Sequence, residues 1–192
     1  GPGQLLISVI ATAVNPIDWK MRAGVQSVAV RRTMPTILGM DVSGLVAEVG
    51  PGVTEFAVGD AVFSSPDHTR DGTYAEYVVV PASQVAIKPT SITHAEAASI
   101  PLVGLTAWDC LVRAASVQSG DRVLIHAGSG GVGTFAIQLA KHLGAEVATT
   151  CSARNAALVT ELGADRVVDY TAEKFNEVLP PQDVILEAMG GD

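Results

Sequence analysis

The sequence predicts a mixed chain: a small β-barrel or sandwich followed by an α/β segment built on a doubly wound parallel sheet. Three observations predict it. Up to about residue 90, short β-type runs alternate with turn signals; beyond it, strands alternate with amphipathic helices; and the first of the later strands runs into the glycine-rich stretch IHAGSGGVG, 125–133.

Candidate strands in the first part lie at 5–13, 43–49, 61–64, 74–80 and 84–87. Turn signals bound them: Asn15-Pro16, Gly50-Pro51-Gly52, Gly59-Asp60, Asp71-Gly72 and Lys88-Pro89. Short strands at this density suit a barrel or sandwich. At Thr93-His94-Ala95-Glu96 the spacing predicts a capping box, in which the Thr and Glu side chains satisfy N–H groups at a helix start. The helical region it opens is interrupted by Pro101 and resumes to about Arg113.

Further strands are expected at 122–126, 146–150, 166–168 and 183–187, with helices at 134–143, 155–162 and, weakly, 172–179. Gly144 and Gly163 directly follow the two strong helices and suit a left-handed C-terminal cap. Phe135, Leu139 and Leu143 in one helix, and Leu158 and Leu162 in the other, form apolar stripes expected to face the sheet. The alternation implies parallel strands with right-handed crossovers. The domain division is expected at 97/98, giving residues 1–97 and 98–192.

With 48% hydrophobic and 17% charged residues in 192, the chain has the material for a core. A net charge of −8 argues against broad affinity for nucleic acid or anionic membrane, and no apolar run is long enough to span a bilayer. Cys110 and Cys151 are too few for a disulfide framework or a four-cysteine zinc lobe. Both are expected as buried free thiols, which suit a reducing cytosol, and no basic stretch leading into an apolar one marks a secretory signal. A cytoplasmic protein is the resulting expectation.

The glycine stretch follows a strand, opens a helix and leads to a second strand, the setting of a pyrophosphate loop. Gly128 permits the tight turn, Gly130 the approach of a pyrophosphate, and Gly133 the packing of helix on strand; Ser129, Gly131 and Val132 complete the loop. The helix N-terminus adds N–H groups and a positive dipole end. The plainer reading is a glycine-rich turn that binds nothing. An NAD site carries an Asp or Glu at the end of the second strand to take the ribose 2′-hydroxyl. Here that stretch reads TTCSARN, 149–155, with no carboxylate. Ser152 and Arg154 suit a 2′-phosphate, which favours NADP over NAD; otherwise Ser152 is only a helix cap and Arg154 a solvated surface residue.

The stretches AVNPIDWK (13–20), GMDVSGLV (39–46), GTYAEYV (72–78), IPLVGLTA (100–107), the glycine loop and GADRVVDY (163–170) resemble, in this order, the medium-chain dehydrogenase/reductase superfamily and its zinc-free quinone oxidoreductase branch. The resemblance implies a GroES-like β-barrel catalytic domain followed by a Rossmann sheet. It also implies an opening strand before residue 4, sheet strands and a returning segment beyond residue 187, and a homodimer when complete. Zinc-dependent relatives have a Cys in the first motif and Gly-His-Glu in the second. Asn15 and Met40 stand at those ligand positions, and an amide and a thioether are poor zinc ligands. His68, His94, His126 and His142 share no ligand spacing, so no metal site is expected.

Without a Lewis acid, hydride transfer is favoured onto acceptors whose conjugation spreads the charge, a quinone or an enone. The resemblance implies that Asn15 and Thr106 face the nicotinamide end, and that Ser152, Arg154 and Tyr170 face the adenosine phosphate end. Some relatives carry a lysine where this chain has Asn155. Near the first motif, Lys20 and Tyr74 are the side chains able to donate a proton; Trp19 reads as pocket lining and Asp18 as a turn-capping carboxylate. Tyr74 and Tyr77 fall in one alternating strand, with at least one expected in the core or an interface. The expected function is an NADPH-dependent quinone or enone reductase; the alternative is a nucleotide-binding module or truncated pseudoenzyme of the same fold.

Overall fold

The computed structural model describes residues 1–24, 35–67 and 69–188, and the chain divides into two units, Gly1–Leu102 and Val103–Asp192. In the first, β1 (Gln4–Ala11), β2 (Val42–Val49), β3 (Ala61–Ser64), β4 (Tyr77–Pro81) and β5 (Val85–Ile87) pair antiparallel in the order β4-β1-β2-β3-β5. Period-two alternation sends Leu5 and Ile7 of β1 and Val78 and Val80 of β4 inward, onto Val42, Val46 and Val62. Each such burial stabilises by about 1.5–3 kcal/mol, and slipping the register by one residue would expose the set.

Two elements differ from expectation here. Asn15-Pro16 is not a bare turn: it opens helix α1 (Pro16–Arg22), with the proline where its missing N–H costs nothing. β4 begins at Tyr77 rather than at 74 because the preceding backbone is used elsewhere. The N–H groups of Gly72, Thr73 and Tyr74 donate to the carbonyls of Ile37, Gly39 and Leu38. Tyr74 and Tyr77 are 38% and 55% exposed, so neither is a core residue. Helix α2 (His94–Ala98) starts at the expected capping box, with Glu96 N–H donating to Thr93 Oγ1 at 3.2 Å and Thr93 N–H to Glu96 Oε2 at 2.7 Å.

Helix α3 (Pro101–Trp108) begins at Pro101 and continues as a π-helical turn over Asp109–Ala114. The second unit holds β6 (Arg122–Ile125), β7 (Glu146–Cys151), β8 (Arg166–Asp169) and β9 (Val184–Leu186), all parallel, in the order β8-β7-β6-β9. The chain steps outward from β6 to β8, then returns to the far side of β6 as β9. That reversal of strand order makes a crevice at the C-terminal strand ends, where ligands of such sheets bind.

Helices α4 (Gly131–His142), α5 (Ala156–Glu161) and α6 (Phe175–Val178) connect these strands. Gly144 (φ 87°) and Gly163 (φ 108°) end the first two in the left-handed conformation expected of them. The buried face of α4, however, is Gly133, Ala136, Ile137 and Ala140, while Phe135, Leu139 and Leu143 are only partly covered. Small side chains let the helix close on the sheet, and the bulky stripe rides at its margin; Phe135 and Leu139 line a groove with Ala107 and Trp108. In α5, Val159 is buried and Leu158 is 45% exposed. Cys151 is buried, but Cys110, expected inside, is exposed on the π-helical turn, which turns its neighbour Leu111 inward instead.

Candidate functional site

Two polar constellations stand out, one in each unit. In the first unit, Asn15 precedes α1 as its N-cap, and a capping box links it to Asp18. The Asp18 side chain reaches back, its Oδ2 accepting the Asn15 backbone N–H at 2.8 Å. The amide nitrogen turns to a distant partner, Nδ2 donating to Asp41 Oδ2 at 2.6 Å. A carboxylate can only accept, so the amide must turn its NH₂ toward Asp41.

Asp41 also accepts the Leu102 N–H at 2.7 Å. Burial raises its pKa to about 6, against the lowering effect of these two hydrogen bonds and with a further push from Asp18. Asp18 is itself buried and accepts from Gly39 N–H at 3.1 Å and Tyr74 Oη at 2.9 Å. Burial, then the hydrogen bond and charge of Asp18, push the Tyr74 phenol up to about 12. Thr12 ties the edge together, donating to the Asp41 carbonyl at 2.6 Å beside Thr73 Oγ1 at 2.8 Å.

The expected residues of this unit thus divide. Asn15 and Tyr74 belong to one buried network, with Asp18 as its hub rather than a simple turn cap. Lys20 holds its ammonium 5.9 Å from the centre of the Trp19 ring. Met40 is buried, and its carbonyl accepts from Ser65 Oγ at 2.7 Å. His94 Nδ1 lies 2.8 Å from Ser43 Oγ, while His68 falls outside the described residues. Among the described residues no three His, Cys, Asp or Glu side chains stand together as a metal site.

The second constellation is a cavity of about 380 Å³ at the C-terminal ends of β6 to β9. It is lined by His126, Ser129, Gly130, Ser152, Arg154 and Tyr170 among others. The glycine loop forms its floor for steric reasons. A side chain on Gly128 would collide with Thr149 Oγ1, and one on Gly133 with the carbonyl of Ala127 and the backbone of Gly128. Ala127 takes a left-handed backbone (φ 53°), a strained state that its surroundings impose.

The end of β7 imposes it. Thr150 Oγ1 accepts the Ala127 N–H at 3.2 Å, and the Thr150 carbonyl accepts the Gly128 N–H at 3.0 Å. Gly130 then caps α4 with no side-chain bond to the first-turn N–H groups. A twelve-residue helix thus offers uncapped donors and its positive dipole end beside Ser129 and Gly131, a cradle for phosphate.

Ser152, Arg154 and Tyr170 come together on the cavity wall. Thr106 lies within α3. Sequence reasoning missed three contributors: Thr150, which pins the loop; Asn155, whose Nδ2 donates to Ser129 Oγ at 2.9 Å; and Glu187, which reaches the cavity from the end of β9. The crossing back of β9 beside β6 was the available signal for Glu187.

The alcohol dehydrogenase GroES-like domain matches residues 1–90, and the zinc-binding dehydrogenase family matches residues 131–192. NAD(P)H oxidoreductase RTN4IP1, mitochondrial, of Danio rerio is 43% identical over 210 residues, covering 100% of this chain and 54% of its own length. NADPH-dependent alkenal/one oxidoreductase, chloroplastic, of Arabidopsis thaliana is 39% identical over 195 residues, covering 97% of this chain and 50% of its own. The solved quinone oxidoreductase from Coxiella burnetii superposes with a TM-score of 0.91 at 41% identity, covering 98% of this chain and 61% of that one.

The chain spans about half the length of the curated relatives it matches. These relatives overturn the cytoplasmic expectation, since they are named as mitochondrial and chloroplastic proteins. Two free thiols are as compatible with a reducing organelle interior as with the cytosol. Because the GroES-like and dinucleotide-sheet halves are both matched, in one order and at about 40% identity, the chain belongs to the medium-chain dehydrogenase/reductase superfamily, on its quinone oxidoreductase-like branch.

Proposed function

We propose that the full-length protein is an oxidoreductase that passes hydride from NADPH to a quinone or an α,β-unsaturated carbonyl, without zinc. The carrying observation is the cavity wall. At the end of β7, where an NAD site keeps a carboxylate, stand Ser152 and Arg154, and Tyr170 and the strained glycine loop line the same cavity. Glu187 lines the same cavity but from β9, not from the ribose-reading strand end. The residues fit the cofactor: Gly128, Ser129, Gly130, Gly131, Val132 and Gly133 would hold the pyrophosphate, and Ser152, Arg154 and Tyr170 the 2′-phosphate. Asn15 and Thr106 would serve the nicotinamide end. Bound NADPH supplies the hydride, and the chain supplies orientation and hydrogen bonds.

On the substrate side, residues 1–97 would act through Asn15, Lys20 and Tyr74, and residues 98–192 through the cofactor cavity. Asp41 takes one N–H of the Asn15 amide, leaving a second N–H suited to a carbonyl oxygen. The Tyr74 proton is directed to Asp18, so Tyr74 orients the network, and the Lys20 ammonium is left as the candidate for proton delivery. Zinc independence rests on the same donor set, an amide already tied to a carboxylate and a buried thioether. Pairing of two copies, and the absence of nucleic-acid or membrane partners, belong to the same reading, the latter supported by the charge of −8.

The test is turnover of an enone and a quinone by the full-length protein, followed by loss of nicotinamide absorbance. NADPH should outpace NADH by a wide margin, and dialysis against a chelator should leave the rate unchanged. Equal rates with the two cofactors would sink the Ser152/Arg154 assignment. Loss of activity restored by zinc would sink the zinc-free one.

A further inference from the structure

Asn155 closes a short 3₁₀ turn, Ala153–Asn155, that leads into α5. Its backbone N–H donates to the Ser152 carbonyl at 2.9 Å, so the side chain springs from a fixed base. Asn is among the best helix N-caps, a role worth about 1 kcal/mol. Here the side chain makes no cap bond to α5, although Asn155 occupies the N-cap position. Instead Nδ2 reaches across 26 residues of sequence to Ser129 Oγ, 2.9 Å away, in the glycine loop. A local preference is forgone for a long-range contact, and both partners line the cofactor cavity.

The polarity of this contact has a consequence. An amide NH₂ can only donate, so Ser129 Oγ must accept. A hydroxyl has a single hydrogen, and with Nδ2 occupying an acceptor direction that hydrogen must point elsewhere. We propose that Asn155 is a positioning residue of the pyrophosphate loop, its amide aiming the Ser129 hydroxyl proton at a phosphate oxygen of the dinucleotide. This rests on the cofactor reading above and adds a distinction to it. Arg154 and Asn155 are neighbours in sequence, but the first reads the 2′-phosphate while the second acts through the pyrophosphate, which NADPH and NADH share.

The experiment is titration of the full-length protein with NADPH and with NADH, comparing Asn155→Ala, Arg154→Ala, Ser129→Ala and the Ser129→Ala/Asn155→Ala double variant. Asn155→Ala should weaken both dinucleotides by the same factor, roughly five- to tenfold, the scale of one neutral hydrogen bond. Arg154→Ala should weaken NADPH alone. The double variant should bind no worse than Ser129→Ala, because Asn155 acts only through that hydroxyl. Asn155→Asp keeps the turn but presents an acceptor that draws the Ser129 proton away, so its loss should exceed that of Asn155→Ala for both ligands.

A loss confined to NADPH, additive losses in the double variant, a milder effect of Asn155→Asp, or unchanged binding would each overturn the proposal. Failure of the unsubstituted protein to bind either dinucleotide is a different result. It overturns the cofactor reading, and the proposal with it.

Discussion

The polar network of the first unit and the glycine loop of the second handle charge by opposite means. The network gathers side chains from distant places: Asn15 with Asp41 across 26 residues, Asp18 with Tyr74 across 56, and Asp41 with the Leu102 N–H across 61. It buries two carboxylates, Asp18 and Asp41, and satisfies them with amide, phenol and backbone donors. The loop gathers backbone from nine consecutive residues; its donors are uncharged N–H groups and the Ser129 hydroxyl. A site of the first kind is sensitive to proton concentration and to any lost partner. One of the second kind is sensitive to added volume.

The sharpest way to break this contrast is at the hub. Asp18→Ala strands the N–H groups of Asn15 and Gly39, leaves the Tyr74 hydroxyl only the Ala13 carbonyl at 3.3 Å, and should cost about 3–4 kcal/mol in denaturant unfolding. Tyr74→Phe, which removes one donor and leaves the other two bonds to Asp18, should cost about 1 kcal/mol. Equal costs would mean that Asp18 is not a hub.

In the loop the corresponding lesion is steric. Gly133→Val drives a side chain into the Ala127 carbonyl and should cost about 2–3 kcal/mol while abolishing dinucleotide binding. Retained binding at full affinity would remove the close-packing argument.

Proton linkage is the next test. Asp41 titrates near 6 in the fold against an ordinary 3.8, so the folded state holds this proton more tightly than the unfolded one. Its contribution is therefore fully present below pH 3.8 and lost as pH rises toward 6, on the order of 2–3 kcal/mol in all. Asp18 and Tyr74 face the same network, so the comparison to make is the difference between the unsubstituted protein and Asp41→Asn. That difference should change across this window and level off above it. The smallest effect on folding belongs to Arg154→Ala, roughly tenfold weaker NADPH binding with folding stability unchanged within about 0.5 kcal/mol.

Legibility followed the same division. The capping box at Thr93, the glycine caps at Gly144 and Gly163, the glycine loop and the alternation around it were all readable, because each is a pattern within a few residues. Asn15-Pro16 was read as a turn, although a proline after asparagine suits a helix start equally well, and the buried Asp18 three residues on belongs to α1. Tyr74 was misassigned to a strand because its backbone partners, at 37–39, are distant in sequence. The buried face of α4 was misread because hydrophobicity weights Phe135 and Leu139 above the alanines that make the closest approach. Thr150, Asn155 and Glu187 were missed because each earns its place through an element other than its own.

By itself the amino-acid sequence determined the order of strands and helices in the second unit, the glycine loop and the absence of an acid at the end of β7. These depend on spacing, conformational freedom and residue type, all of which are local. Only the tertiary structure decided how Asn15 is used, which carboxylate gathers the donors around it, and that Asn155 leans on Ser129. Both asparagines stand at helix N-cap positions and send the amide nitrogen to a partner 26 residues away. The reason is physical: a side-chain amide takes whichever partner folding brings within about 3 Å, and sequence spacing says nothing of partners 26 residues away.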